Sequence, residues 1–304
     1  MGTACRARAA KQGWDLDLLG PDAPSVTILV PSFQESRRVI IETVLSAALA
    51  TYRNKRIVVL VDDPPEAAEA LSETLGAIEV VRGWLREGQT LRDAALAPGT
   101  DRAGFARTYL ELADWVDRIA KQIRADSNLS FAHVDRFVIE RVLNNRAEAY
   151  RLSARRLLDG PEPDHNRIRN DLVCIATGEI ESFQRKRFAN LAHAPNKAMN
   201  LNAYLGLMGK SWDIQTRMGR DYLVEVPAGT PADLVISPST YVLTLDADSV
   251  IVPDYILTLV SVLERTPSAA VAQTPYLTFP GGTSPVERIA GATTDIQYLS
   301  LIHI

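Results

Sequence analysis

Cysteine is nearly absent from this chain. Its 304 residues hold two, Cys5 and Cys174, one in a polar leader and the other in an apolar run. That argues against a disulfide framework and for a reducing compartment. No uncharged apolar run approaches the roughly 18 residues that a membrane-spanning helix needs. The leader Met1–Ala10 carries Arg6 and Arg8 but lacks the apolar centre of a secretory signal. Positive charge is not in excess either. Lys and Arg total 33 against 37 Asp and Glu, a net charge of -4, so no global basic field favours nucleic acid. No internal repeat and no low-complexity tract is present. What remains is 46% hydrophobic and 23% charged, the profile of a globular protein with a sizeable core. The length fits one large α/β domain or about two smaller ones.

The pattern along the chain predicts an α/β fold. Val26–Val30 reads as a buried strand stopped by Pro31. From Ser36, the residues Val39, Ile40, Thr43, Val44, Ala47 and Ala48 share one helical face. Ile57–Val61 is a second buried strand, preceded by Lys55-Arg56 and ending in Asp62-Asp63. Strand, helix, strand with continuous apolar strands implies a parallel sheet covered on both faces. From Pro64 to about His165 the texture turns helical, with Phe105, Tyr109, Leu112, Val116, Ile119 and Ile123 at alternating steps of four and three. A further helix is predicted from Phe131 toward Leu158, ended by Gly160-Pro161-Glu162-Pro163. Leu172–Ala176 is then predicted as a third strand, Pro195–Met208 as a helix, and Gly209–Ser239 as a long loop with a hairpin. Tyr241–Leu245 reads as a fourth strand, Pro253–Leu263 as a helix and Ala269–Gln273 as a fifth strand.

In an open parallel sheet, ligands bind beyond the C-terminal strand ends. Three predicted strands end there in polar residues: Pro31-Ser32-Phe33-Gln34-Glu35, Asp62-Asp63 and Asp246-Ala247-Asp248. Up to five carboxylates would share one cleft, which calls for a cation or strong hydrogen bonding. Asp246 and Asp248, two apart just past a strand, can point the same way and suit Mg²⁺ or Mn²⁺, although surface turns also carry this pattern. Lys197, in Asn196-Lys197-Ala198-Met199-Asn200-Leu201-Asn202, adds a point charge at a helix start, a natural place for diphosphate. Its bland reading is a solvated lysine. Arg185-Lys186-Arg187 could face phosphates or a membrane surface, but a solvated basic face is the simpler expectation. Trp84 and Trp115 are expected to pack, Cys174 to sit in the core of the third strand, and His165 and His193, which lack metal-ligand spacing, to lie in loops.

Together these segments resemble the family 2 glycosyltransferases of GT-A fold, most closely the cellulose-synthase-like processive branch. Val26 through Glu35 looks like that family's first strand and its Pro-(Thr/Ser)-(Tyr/Phe)-Asn-Glu turn. Asp62-Asp63 corresponds to its Asp-Asp, Lys197 through Asn202 to its Lys-Ala-Gly-Asn-Leu-Asn, Leu245 through Asp248 to its Asp-x-Asp, and Ala272-Gln273-Thr274-Pro275 to its next strand. The resemblance covers residues 25–63 and 170–280. It implies a Rossmann-like, mostly parallel sheet flanked by helices, with a helical insertion (64–165) after the second strand. It also implies inverting transfer of a sugar from a nucleotide-sugar, with UDP-sugar as the expected donor, to a polysaccharide or lipid-linked acceptor. Pro31 and Glu35 would line the nucleoside site, with Asp62 toward the base, and Lys197 would meet the diphosphate, while Asp63 and Asn200 would also contact substrate. Asp246 and Asp248 would hold Mg²⁺ or Mn²⁺, with Asp246 also facing substrate. No nucleic-acid partner is implied. The intact protein is expected at the cytoplasmic face of the inner membrane, attached through segments outside this chain, and the present chain in the cytoplasm.

Three departures stand out: Gln34 in place of Asn, Pro64-Pro65 in place of Gly-Ser, and the length of the insertion. The family's general base lies in a Thr-Glu-Asp-type motif that this sequence lacks. Glu287 and Asp295 lie beyond the fifth strand without that context, so no catalytic base is assigned. The last six residues, Leu299–Ile304, match a translated frame of a transposon-end sequencing adapter, so the expected plan is a leader (1–24), a GT-A domain (25–298) and an adapter-derived tail (299–304). On that plan the chain binds donor but does not transfer sugar. The competing readings are a non-catalytic nucleotide-sugar-binding protein and a Rossmann-type dehydrogenase domain. The latter is weakened because Pro31-Ser32-Phe33 stands where Gly-x-Gly-x-x-Gly belongs.

Overall fold

The computed structural model describes residues 16–127, 132–161, 164–274, 277–280, 285–286, 288–289 and 291–293. The leader up to residue 15, Pro275, Glu287, Asp295 and the tail 299–304 lie outside them. Contacts divide the chain into two units. A sheet unit comprises Leu16–Thr90 and Val173–Ile251, and a helical unit holds Leu91–Leu172 with the described residues from Val252 onward.

The sheet unit is α/β. Four parallel strands run in the order β3-β2-β1-β7, with β1 at Val26–Ser32, β2 at Lys55–Val61, β3 at Glu179–Gln184 and β7 at Tyr241–Thr244. Nearly every residue of β1 and β2 is buried, as their unbroken apolar runs require of central strands covered on both faces. Helix α1 (Arg37–Ala48) starts at Ser36, whose Oγ accepts from the Val39 amide and so satisfies one of the free N–H groups of the first turn. It contacts β1 and β2, as does α7 (Lys197–Leu207). A small antiparallel sheet, order β5-β4-β6, uses Lys210–Arg217 (β4), Arg220–Val226 (β5) and Leu234–Ile236 (β6). Leu223 and Ile236 of that sheet and Tyr204 and Leu207 of α7 close over Leu29, Val58 and Leu60 in one cluster.

Helix α2 (Ala68–Leu96) buries Ala77, Ile78, Val81 and Leu85, and its Arg82 Nε donates to the Ile180 carbonyl of β3 at 2.9 Å. In the helical unit, α3 (Arg102–Ala125) packs on α5 (Asn145–Asp159), with a short α4 (Ala132–Phe137) and a π-helical stretch, Val138–Asn144, before α5. Phe105, Leu112, Trp115 and Val116 are fully buried there, together with Val138, Leu143 and Tyr150. Helices α6 (His165–Val173) and α8 (Tyr255–Arg265) complete the described elements of that unit. No helix among the described residues is long and apolar enough to cross a membrane.

Several elements differ from the sequence pattern. β1 continues through Pro31 to Ser32, paired with β2 to its end. The β7 pairing covers only Val26–Leu29, so the missing Pro31 N–H falls past the last rung on that side. Leu172–Ala176 is not a strand. α6 runs to Val173, and the third parallel strand begins at Glu179, after Ala176 (φ 52°) and Gly178 (φ 111°). A short apolar run cannot distinguish the buried end of a helix from a strand, while β3 as an edge strand buries only Ile180 and Phe183 and shows little apolar signal. Ala269–Gln273 forms no strand, and Val271 in it is 78% exposed. Gly209–Ser239 contains three strands; its hairpin turns on Met218 (φ 50°) and Gly219 (φ 74°), both positive as a two-residue type I′ turn demands. Trp115 packs as expected. Cys174 is only half-buried in a turn, its Sγ facing the Leu19 carbonyl at 3.6 Å. His165 opens α6 and meets the Phe105 ring edge-on, rather than lying in a loop.

One buried acid gives the sheet unit a pH dependence. Glu42 on α1 is 3% exposed, and burial pushes its carboxyl up to about 7, against the opposing pull of Arg38, whose Nε is 3.6 Å away. A carboxyl with a raised folded-state pKa holds its proton longer folded than unfolded. Its contribution is therefore full below pH 4.5 and is lost as pH rises to about 7. Glu42→Gln is expected to flatten the stability-versus-pH curve between those values, measured by urea unfolding at pH 4.5, 6 and 8. An unchanged slope would show that Glu42 is ionised in the folded chain.

Candidate active site

The sheet order places the cleft. The chain leaves β1 toward β2 and β3 on one side and returns as β7 on the other, so the order reverses at β1. Such a switch point leaves a crevice beyond the C-terminal strand ends. Within the sheet unit a cavity of ≈ 390 Å³ opens there, lined among others by Pro31, Glu35, Asp62, Lys197, Asn200, Asp246 and Asp248. Seven of the eight residues singled out from the sequence thus meet in one place. Asp63, the eighth, is fully buried beside it.

Each arrives for a local reason. The β1 turn bends through Gln34 at φ 54°, a left-handed conformation that Asn enters more readily than Gln. The Gln34 amide lies 3.5 Å from Asp63 Oδ2. Helix α7 is capped by Asn196, whose Oδ1 accepts from the Ala198 and Met199 amides, and this sets Lys197 on its first turn. Asn200, one turn on, donates Nδ2 to the Leu60 carbonyl at 2.9 Å, which fixes its amide and leaves Oδ1 without a partner. Ser32 Oγ is likewise buried and unpartnered. Asp246 and Asp248 follow β7 on a turn closed by the Ser249 amide donating to the Asp246 carbonyl at 3.0 Å.

Charge is unevenly compensated. Asp246 is ion-paired with Lys197. Glu35, Asp63 and Asp248 have no ion-pair partner among the described residues. Burial, then the carboxylates of Asp248 and Asp63, push the Glu35 carboxyl above its ordinary range. This crowding fits a hard divalent cation, which would relieve it. Among the described residues, however, no group of three or more His, Cys, Asp or Glu is arranged to hold a metal.

Asp62 is not free to act as an open carboxylate. Arg185 Nε and Nη2 lie 2.8 and 2.6 Å from its Oδ1, and Lys186 Nζ lies 3.5 Å from Oδ2. Arg185 is fully buried and also donates to the carbonyls of Ala192 and, at 2.6 Å, Ala194. The expectation of a solvated basic face fails for Arg185 and Lys186. Only Arg187 is exposed, pairing with Asp221 at 3.0 Å. Lys186 also sits 5.4 Å from the centroid of Phe33, an exposed ring on the cleft wall. The sequence offered no signal for this, because β3, the strand that the run follows, shows little apolar pattern.

Removing one partner of a buried ion pair strands the other, at a cost of about 3–5 kcal/mol. Arg185→Met is therefore expected to lower the urea midpoint sharply, and far more than Arg187→Met. Equal small effects would show that the Asp62 pair is solvated.

No curated protein and no solved structure matches the chain. Residues 241–304, which hold β7, Asp246, Asp248 and α8, match the family model described as "Glycosyl transferase family group 2", a finding that supports glycosyltransferase function in general terms.

Proposed function

We propose that the cleft is the donor site of an inverting, cation-dependent glycosyltransferase that takes a nucleotide-sugar, with UDP-sugar as the expected donor, and serves a polysaccharide or lipid-linked acceptor. The observation that carries this reading is the convergence of β1, β2, α7 and β7 on one crevice holding Lys197, Asp246 and Asp248. Pro31 and Glu35 border the nucleoside. Asp62, tied to Arg185, keeps that wall in place rather than offering a free carboxylate. Lys197 turns from Asp246 to the diphosphate, and the exposure of both side chains makes that exchange inexpensive. Asp246 and Asp248 would hold Mg²⁺ or Mn²⁺, which when bound screens the charge developing on the departing diphosphate. A Rossmann-type dehydrogenase fits less well, since Pro31 and Phe33 occupy the turn where a dinucleotide needs glycines.

Lys197→Ala is expected to weaken UDP by about 10- to 150-fold, the worth of a charge-assisted contact, while uridine binding stays nearly unchanged. Equal losses for both ligands, read by calorimetry, would remove Lys197 from the diphosphate. Asp248→Ala should abolish the gain in UDP affinity that Mn²⁺ provides. Persistence of that gain would sink the cation assignment.

A further inference from the structure

Two buried hydroxyls reach the aspartate turn from behind. Thr43 and Ser46, on the inner face of α1, are each 1% exposed. Thr43 Oγ1 donates across to the carbonyl of Ala247, the residue between the two aspartates. Ser46 Oγ accepts from the Ile251 amide at 3.1 Å and donates to the Thr43 carbonyl at 2.9 Å. The turn from Asp246 to Ile251 is therefore fastened at both ends to one helix, and Ala247 and Ile251 are themselves buried. Thr43 has a non-polar isostere in Val, which would suit a core helix equally well by shape. The hydroxyl supplies what the valine could not, a partner for a buried carbonyl that no strand neighbour pairs.

The same helix carries the opposite wall. Glu35 lies two residues before α1, next to its cap Ser36. α1 is thus a rigid bar with Glu35 at its entrance and the Asp246–Asp248 turn clasped two turns further along. Fixing Ala247 by its carbonyl sets the backbone from which the flanking carboxylates project into the cleft that both line.

We propose that Thr43 and Ser46 are positioning residues, holding the Asp246–Asp248 turn in the shape that binds a cation together with a nucleoside diphosphate. This rests on the donor-site reading of the cleft. Neither hydroxyl touches the ligand. Each acts through the backbone of residues 247 and 251, so its loss should be felt through the cation and not through the nucleoside.

The test uses the full chain with Thr43→Val, Thr43→Ser and Ser46→Ala. UDP affinity is measured by calorimetry with Mn²⁺ and with EDTA, and amide exchange is followed over residues 245–252. Outer-shell partners of metal ligands typically matter by 10- to 100-fold. The Mn²⁺-dependent gain should accordingly fall about tenfold in Thr43→Val and Ser46→Ala and return to within about threefold of wild type in Thr43→Ser, with EDTA affinities unchanged throughout. A role confined to stability would lower both affinities together. A Thr43→Ser protein as weak as Thr43→Val, or a Mn²⁺ gain untouched in all three, overturns the proposal. If the wild type binds no UDP at all, the donor-site reading fails by itself. The clasp is then judged by exchange: faster exchange at Ala247 and Ile251 in Thr43→Val but not in Thr43→Ser upholds it, and unchanged rates overturn it.

Discussion

The buried contact between Arg185 and Asp62 is the constraint on which the cleft depends. A guanidinium with no solvent access must find protein partners, and each Arg185 nitrogen does so, on one carboxylate and two main-chain carbonyls. Those carbonyls, at Ala192 and Ala194, lie in the loop that leads into α7. The ion pair thereby ties the end of β2 to the segment that delivers the Asn196 cap and Lys197. Without it, the helix that brings Lys197 to the cleft would have no fixed entry point. A buried pair of this kind adds little net stability over an apolar substitute. Its value here lies in specifying one arrangement of the loop.

The parts of the fold legible in the sequence are those with strong, local apolar signals. β1, β2 and β7 announce themselves as runs such as Ile57–Val61, and α1 by its cap and its spacing. The cleft was legible because carboxylates at strand ends have few roles in a core, and because the sheet order brings those ends together. β3 was not legible, since an edge strand reading Glu-Ile-Glu-Ser-Phe-Gln buries only two of its six residues. The Leu172–Ala176 segment misled for the converse reason: Leu172 and Ile175 are buried, but as the end of a helix and its following turn.

The polar interior was least legible. Nothing in the letters Arg185-Lys186-Arg187 distinguishes a solvated run from one whose first two members are withdrawn into the protein. That depends on Asp62 standing on the neighbouring strand, more than a hundred residues earlier in the chain. The same holds for Thr43 and Ser46, which read as ordinary helix residues until Ala247 and Ile251 are set against them. Pairings of this type belong to topology, and a single sequence records topology only through the order of its elements.

That order has a temporal consequence. Ser25 at the start of β1 meets Thr240 before β7, a separation of 215 residues. During synthesis at about 5–20 residues per second, one edge of β1 stays unpaired for roughly 10–40 seconds after it emerges. In that interval a nearly all-apolar strand lies beside β2 with its other side open, the kind of edge on which nascent chains associate. β7, the last strand among the described residues, is also the one that brings Asp246 and Asp248, so this side of β1 is paired and the cleft gains those two aspartates in the same late event. A ribosome-bound intermediate of this protein would hold Lys197 ready but have no carboxylate from β7 to pair with it.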